Sequence, residues 1–117
     1  MFHCELKNIQ AHVIVGLFDF ERTKEQPLYF DLSYKYTATN DVSKDQLAEA
    51  PDYVAVADAL VSFCKNQKFQ LLETLLDSSI TQLHLQFPQI ESITLSVRKP
   101  AAYPNGDGPK ITLSKEF

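Results

Sequence analysis

Leu28-Tyr29-Phe30-Asp31-Leu32-Ser33-Tyr34-Lys35-Tyr36 alternates apolar and polar side chains, the period at which one face of a β-strand meets a core. Leu28, Phe30, Leu32, Tyr34 and Tyr36 fall on one side, and Tyr29, Asp31, Ser33 and Lys35 on the other. Upstream, Ile9, Ala11, Val13 and Val15 repeat the pattern and predict a strand over 6–15 that Gly16 ends. The two runs are expected to pair antiparallel. Downstream, residues 37–50 are polar, contain Asn40-Asp41 and read as a surface connection.

A helix then starts near Pro51, which suits a first turn because its missing N–H is not needed there. Asp52 adds negative charge at the positive end of the helix dipole, and Val56, Ala57, Leu60, Val61 and Cys64 supply the helical repeat. A second helix is predicted over 71–87, where Leu72, Leu76, Ile80, Leu83 and Phe87 share a stripe, and Pro88 stops it. Period two returns with Ile93, Leu95 and Val97. The run Pro104-Asn105-Gly106-Asp107-Gly108 reads as a turn, with a last short strand around 111–113.

The order ββααββ belongs to the α+β class and has two physical solutions. One is a closed monomeric sandwich, with the helices covering one face of a four-stranded antiparallel sheet. The other is the tunnelling fold, in which such subunits join edge to edge into a barrel. Periodicity fits both. Tyr29, opposite in parity to Phe30, gives the second sheet face some apolar surface, which ordinary β-propensity accounts for.

Composition narrows the function classes. With 117 residues and 44% hydrophobic content, residues 1–117 are expected to form one domain with a modest core. Cys4 and Cys64 stand alone, without a CxxC or a Cys/His cluster, so neither a disulfide framework nor a structural zinc site is expected. The amino terminus has no basic segment ahead of an apolar run, and no apolar stretch reaches bilayer length. The expected location is the cytoplasm, with no membrane partner. A formal charge of −4 argues against a nucleic-acid partner, which needs a basic face. With three glycines, no phosphate-cradling GxGxxG or GxxxxGK loop can be written.

Several residues have an ordinary reading beside a chemical one. Lys99 shares the parity of Ile93, Leu95 and Val97, so a straight strand points it inward just where Pro100 ends the ladder. An unremarkable lysine there snorkels to water. Glu73 lies at the edge of the second helix's stripe, about 20° beyond Ile80 on a 100° wheel, and reads as half inside or as a first-turn charge. Tyr53 shares a side with Val56, Ala57 and Leu60 and fits a core aromatic. Glu21 fits a loop that also holds Arg22, Lys24 and Glu25. His3, His12 and His84 are scattered, with no partner at ligand spacing, so no metal is expected.

Four segments change the balance when taken together: 16–28, Asp52-Tyr53, Leu71-Leu72-Glu73, and Arg98-Lys99-Pro100-Ala101. In this order and at these separations they resemble dihydroneopterin aldolase, and the resemblance spans most of the chain. It implies the tunnelling fold, assembled as a homo-oligomer (tetramer or octamer) with sites between subunits and no cofactor. It also implies a pterin substrate, 7,8-dihydroneopterin, cleaved by a retro-aldol step to 6-hydroxymethyl-7,8-dihydropterin and glycolaldehyde.

By the same resemblance Lys99, Tyr53 and Glu21 are catalytic, and Glu73, Leu72, Tyr53, Glu21, Leu17 and Asp52 bind substrate. Glu73 would accept paired hydrogen bonds from the pterin 2-amino group and N3–H, with Leu72 helping through its backbone. Tyr53 would pack on pterin in a neighbouring subunit and carry a proton, and Glu21 would orient Lys99. A carboxylate beside the lysine favours its charged form. Lys99 is therefore assigned a positioning and water-polarising role that includes proton transfer once substrate is bound. Two departures bear on specificity: Ile14-Val15-Gly16 stands where many members have Tyr-His-Gly, and Pro51-Asp52 precedes the helical tyrosine. The alternatives are a dihydroneopterin triphosphate 2′-epimerase, a close relative sharing the anchor glutamate, over which the Lys99-Pro100-Ala101 run favours the aldolase, and a non-catalytic oligomeric α+β binding module.

Overall fold

The structure, a computed structural model, describes residues 1–38, 42–46 and 50–117. The surface-connection reading of residues 37–50 falls partly outside that set; of its described residues, Val42–Lys44 form a 3-10 turn. The elements are β1 (Phe2–Val13), β2 (Gln26–Tyr36), α1 (Tyr53–Asn66), α2 (Leu72–Gln86), β3 (Ile90–Arg98) and β4 (Lys110–Glu116). They build one antiparallel sheet in the order β1-β2-β3-β4, so among the described residues β1 and β4 each carry an unpaired edge.

The alternation of β2 sets the core. Leu28, Phe30, Leu32 and Tyr34 are buried, as are Ile93, Leu95 and Val97, which lie beside them on β3. α1 contacts β1, and α2 contacts β3 and β4, so both helices join this apolar face. The opposite face is polar, with hydroxyl pairs Thr94–Ser114 at 2.8 Å and Ser96–Thr112 at 2.7 Å. Tyr29 lies on that face with the Arg98 guanidinium 4.6 Å from its ring centroid.

β2 begins at Gln26 and β4 spans Lys110–Glu116, both longer than the sequence reading, and the starts of β1 and α1 differ from it for a local reason. β1 begins at Phe2 rather than at residue 6, because Asn8 at φ 57° makes a bulge that switches the inward parity from Cys4 and Leu6 to Ile9, Ala11 and Val13. Asn8 tolerates this left-handed conformation and its N–H is taken up by Asp31 Oδ1 at 3.0 Å. β1 also stops at Val13, although Val15 remains buried. Pro51 lies outside α1, and Asp52 is the N-cap, accepting the Val54 N–H at 3.0 Å.

Candidate functional site

Lys99 follows the inward register of β3, and the structure buries it to 9% exposure. Its backbone is fixed on both sides, since its N–H donates to Pro109 O at 3.1 Å and its carbonyl accepts from Ala102 N at 3.2 Å. Gly108 makes this approach possible: it sits at φ +85°, and a Cβ there would come within 2.3 Å of Lys99 O. The lysine is therefore held by its main chain before its side chain makes any contact.

Lys99 Nζ lies 2.6 Å from Glu21 Oε2, with side-chain exposures of 11% and 10%. Glu21 ends a single 3-10 turn, Asp19–Glu21, in the loop after β1. Its Oε1 accepts the Phe18 N–H at 3.3 Å, and its Oε2 also accepts Gln26 Nε2 at 3.4 Å. Gln26 Nε2 in turn reaches Val15 O at 3.0 Å, while its buried Oε1 has no hydrogen-bond partner among the described residues. Gly16, at φ +136°, provides the space: a Cβ there would lie 2.2 Å from Glu21 Cδ. Burial pushes the Glu21 carboxyl up, but the hydrogen bonds from Lys99, Phe18 and Gln26 and the lysine charge outweigh it and hold the group below its usual range. Glu21 is thus a carboxylate at neutral pH, placed against an ammonium in a nearly dry position.

The pair lines a cavity of about 510 Å³, within the roughly 300–1,000 Å³ typical of small-molecule sites. Phe18 and Phe20 form one wall, their rings stacked at 5.8 Å between centroids and both largely exposed. Lys24, Glu25, Gln26 and Ala101 complete the parts that matter chemically. Such an exposed aromatic pair beside a buried ion pair is an apolar surface with a few convergent polar groups.

The remaining predicted residues divide between the two ends of the molecule. Leu72 is buried at the first position of α2, and Glu73 beside it is exposed rather than half inside. The buried stripe also includes Leu75 and Ser79, which turn its centre away from Glu73 to about 90° on the wheel. Neither residue lines the cavity with Lys99, yet both belong to its end of the fold, because Gly16 N donates to Phe69 O at 3.1 Å. Leu17 is exposed there too.

Tyr53 and Asp52 are elsewhere. Fourteen residues separate the start of α1 from its end, about 20 Å of helix. Asp52 is close enough to Tyr34 for its charge, after burial and the Cys4 contact, to help push that hydroxyl's pKa up. Tyr34 pairs with Cys4 and Ile93, at the opposite end of the sheet from Val13, Gln26 and Arg98. Tyr53 is 58% exposed, which removes the core-aromatic reading. Within one chain the structure brings together Glu21 and Lys99, sets Leu72 and Glu73 near them, and leaves Tyr53 and Asp52 far away.

Sequence reasoning passed over Arg22, Gly108, Phe18 and Phe20. Arg22 looks like another loop charge, and the fit of Gly108 depends on a contact with Lys99 that no local pattern encodes. Among the described residues no group of three His, Cys, Asp or Glu side chains is placed to hold a metal ion, and no helix is long and apolar enough to cross a membrane.

Residues 4–114 match the family model described as dihydroneopterin aldolase. The chain is 31% identical over 84 residues to the dihydroneopterin aldolase of Streptococcus pyogenes serotype M18, covering 72% of this chain and 71% of that protein. It is 23% identical over 114 residues to the dihydroneopterin triphosphate 2′-epimerase of Pseudomonas aeruginosa, covering 97% and 92%. The fold superposes on Escherichia coli dihydroneopterin aldolase in complex with neopterin with a TM-score of 0.89 at 21% identity, covering 98% and 99% of the two chains. With a family match running from the first strand into the last, the chain belongs to the dihydroneopterin aldolase family.

Proposed function

We propose that the protein cleaves 7,8-dihydroneopterin by a retro-aldol reaction, in the cytoplasm, as a homo-oligomer whose sites lie between subunits. The observation that carries this is the buried Lys99–Glu21 pair at the wall of an aromatic-lined cavity. Loss of the proton from the substrate's 2′-hydroxyl breaks the C1′–C2′ bond and releases glycolaldehyde. The electron pair moves into the C6=N5 imine, giving an enamine that takes up a proton at C1′ to yield 6-hydroxymethyl-7,8-dihydropterin. The substrate is its own electron sink, so no Schiff base is needed.

What the protein supplies is position and charge. Glu73, exposed in the single chain, is free to accept two hydrogen bonds from the pterin edge, and Leu72 presents backbone beside it. The Lys99 ammonium, kept in place by Glu21, polarises the water or hydroxyl that exchanges the proton and stabilises developing negative charge. Tyr53 cannot reach this end of its own chain. A second copy must provide it, and the free edges of β1 and β4 offer the means of joining subunits into a barrel.

The epimerase reading draws support from the near-full-length Pseudomonas aeruginosa relative. Against it, the cavity's cations Lys24 and Lys99 are matched by Glu21 and Glu25, leaving no surplus charge for a triphosphate. Free neopterin chemistry fits better. The test is glycolaldehyde release by the purified protein, followed by mixing of two inactive variants, Lys99→Ala and Tyr53→Ala. Co-assembled subunits should regain activity because some interfaces then carry both wild-type groups. No recovery in confirmed mixed oligomers would remove the shared-site reading, and no release by wild type at high enzyme concentration would remove the aldolase reading.

A further inference from the structure

We infer that Arg22 is a positioning residue that sets the span between the pterin anchor on α2 and the reacting pair at Lys99; the inference rests on the aldolase reading above. Adjacent residues at the end of the 3-10 turn reach in different directions. Glu21 extends over Gly16 to Lys99 Nζ at 2.6 Å. Arg22 instead reaches the α1–α2 connection, donating from one terminal nitrogen to Phe69 O at 3.0 Å and from the other to Lys68 O at 2.7 Å. The first nitrogen also donates to Gly16 O at 3.1 Å.

The consequence is a short mechanical link. Phe69 O, which already accepts the Gly16 N–H at 3.1 Å, takes a second hydrogen bond from Arg22. Phe69 also tilts against Phe63 at 6.0 Å, anchoring the connection to α1. Leu71, two residues on, is the N-cap of α2 but makes no side-chain capping bond, so its own side chain contributes nothing to the helix start. Glu73 is the second residue of the helix that begins there. A planar guanidinium that forks across two carbonyls fixes both distance and angle, which a lysine cannot do.

A rigid bicyclic pterin whose ring is held by Glu73 and whose side chain is worked on near Lys99 requires that separation to be constant. A misplacement of about 1 Å costs on the order of 100-fold in rate when geometry is already optimised. Arg22 touches no substrate in this scheme. Its effect passes through the two segments it joins.

The experiment compares wild type, Arg22→Ala and Arg22→Lys in kcat and KM for dihydroneopterin, and in affinity for neopterin and for unsubstituted pterin, which lacks the reacting side chain. Arg22→Ala should lower kcat about tenfold to 100-fold. It should bind unsubstituted pterin within about threefold of wild type but lose the extra affinity that the neopterin side chain provides. Arg22→Lys, which keeps the charge and folds more safely, should lose the same increment to a smaller degree. Hydrogen exchange should rise at the Gly16 amide, which the link protects. Equal loss of both ligands, or an unchanged kcat with the neopterin increment intact, overturns the positioning role. Should wild type bind neither ligand, the aldolase reading falls and this inference with it.

Discussion

Replacing Gly16 by alanine tests the site at its most confined point. The new Cβ would lie 2.2 Å from Glu21 Cδ and Oε1 and 2.6 Å from Oε2, far inside van der Waals contact. Those atoms end a flexible side chain, so the fold can relieve the clash by swinging the carboxylate away. The stability loss then comes mainly from holding alanine at φ +136°, about 1–3 kcal/mol, or roughly 4 °C of melting temperature per kcal/mol. The catalytic loss has a separate cause, because the swing breaks the 2.6 Å contact with Lys99. A displacement of that size predicts a fall in kcat/KM of about 100-fold, near 2.7 kcal/mol of transition-state stabilisation. The assay is a double-mutant cycle with Glu21→Ala, following glycolaldehyde release and thermal melts in parallel. With the carboxylate already gone, Gly16→Ala has nothing to displace and should cost less than about threefold, a coupling of about 2 kcal/mol. If Gly16→Ala keeps wild-type kcat/KM, or costs the same in both backgrounds, the idea that glycine is there to seat Glu21 is wrong.

Gly108→Ala should be worse tolerated than Gly16→Ala in thermal melts, since its Cβ meets backbone atoms of Lys99 and Pro100 at 2.3–2.7 Å, and backbone cannot swing aside. The Glu21 carboxyl is held below its ordinary range, so the stability it contributes is present above that range and is lost only as pH falls through the depressed value. The stability difference between wild type and Glu21→Gln, from denaturant melts, should therefore be flat from pH 8 to about pH 5 and shrink below about pH 4. Burial raises the Cys64 thiol to about 11, partly offset by its contact with Ser79, so it should react with a thiol reagent at pH 7.5 only at the rate of unfolding. Rapid labelling of Cys64 in the native protein would show that α1 opens locally.

The fold was legible where a single period governed a segment. β2, α2 and β3 are set by side chains that must face one core, and the inward direction of Lys99 followed from the parity of Ile93, Leu95 and Val97. Boundaries slipped where a backbone irregularity interrupts the period, as at Asn8, or where two residues compete for one role, as Pro51 and Asp52 do at the start of α1. The exposure of Glu73 was misjudged because two buried residues on the far side of the stripe went uncounted: Leu75, and Ser79, which counts as polar in a sequence yet is 1% exposed and hydrogen-bonded to Cys64. The Lys99–Glu21 contact joins residues 78 apart in sequence, and only the resemblance suggested it.

The least legible parts of the site are those that hold it in shape. Gly108 and Arg22 act through contacts with main-chain atoms, and main chain looks the same at every position of a sequence. The same holds for the distance between Tyr53 and Lys99. A helix of 14 residues carries Tyr53 about 20 Å from Asn66, the end of α1 that leads into the connection Arg22 holds, so under the proposed reading the aromatic must come from another copy of the chain. Burying an ammonium and a carboxylate to about 10% exposure usually gains little stability over an apolar pair of the same size. Keeping that pair dry, beside exposed aromatics that a solitary chain would better cover, makes physical sense if a second subunit closes the cavity and the substrate uses the charge.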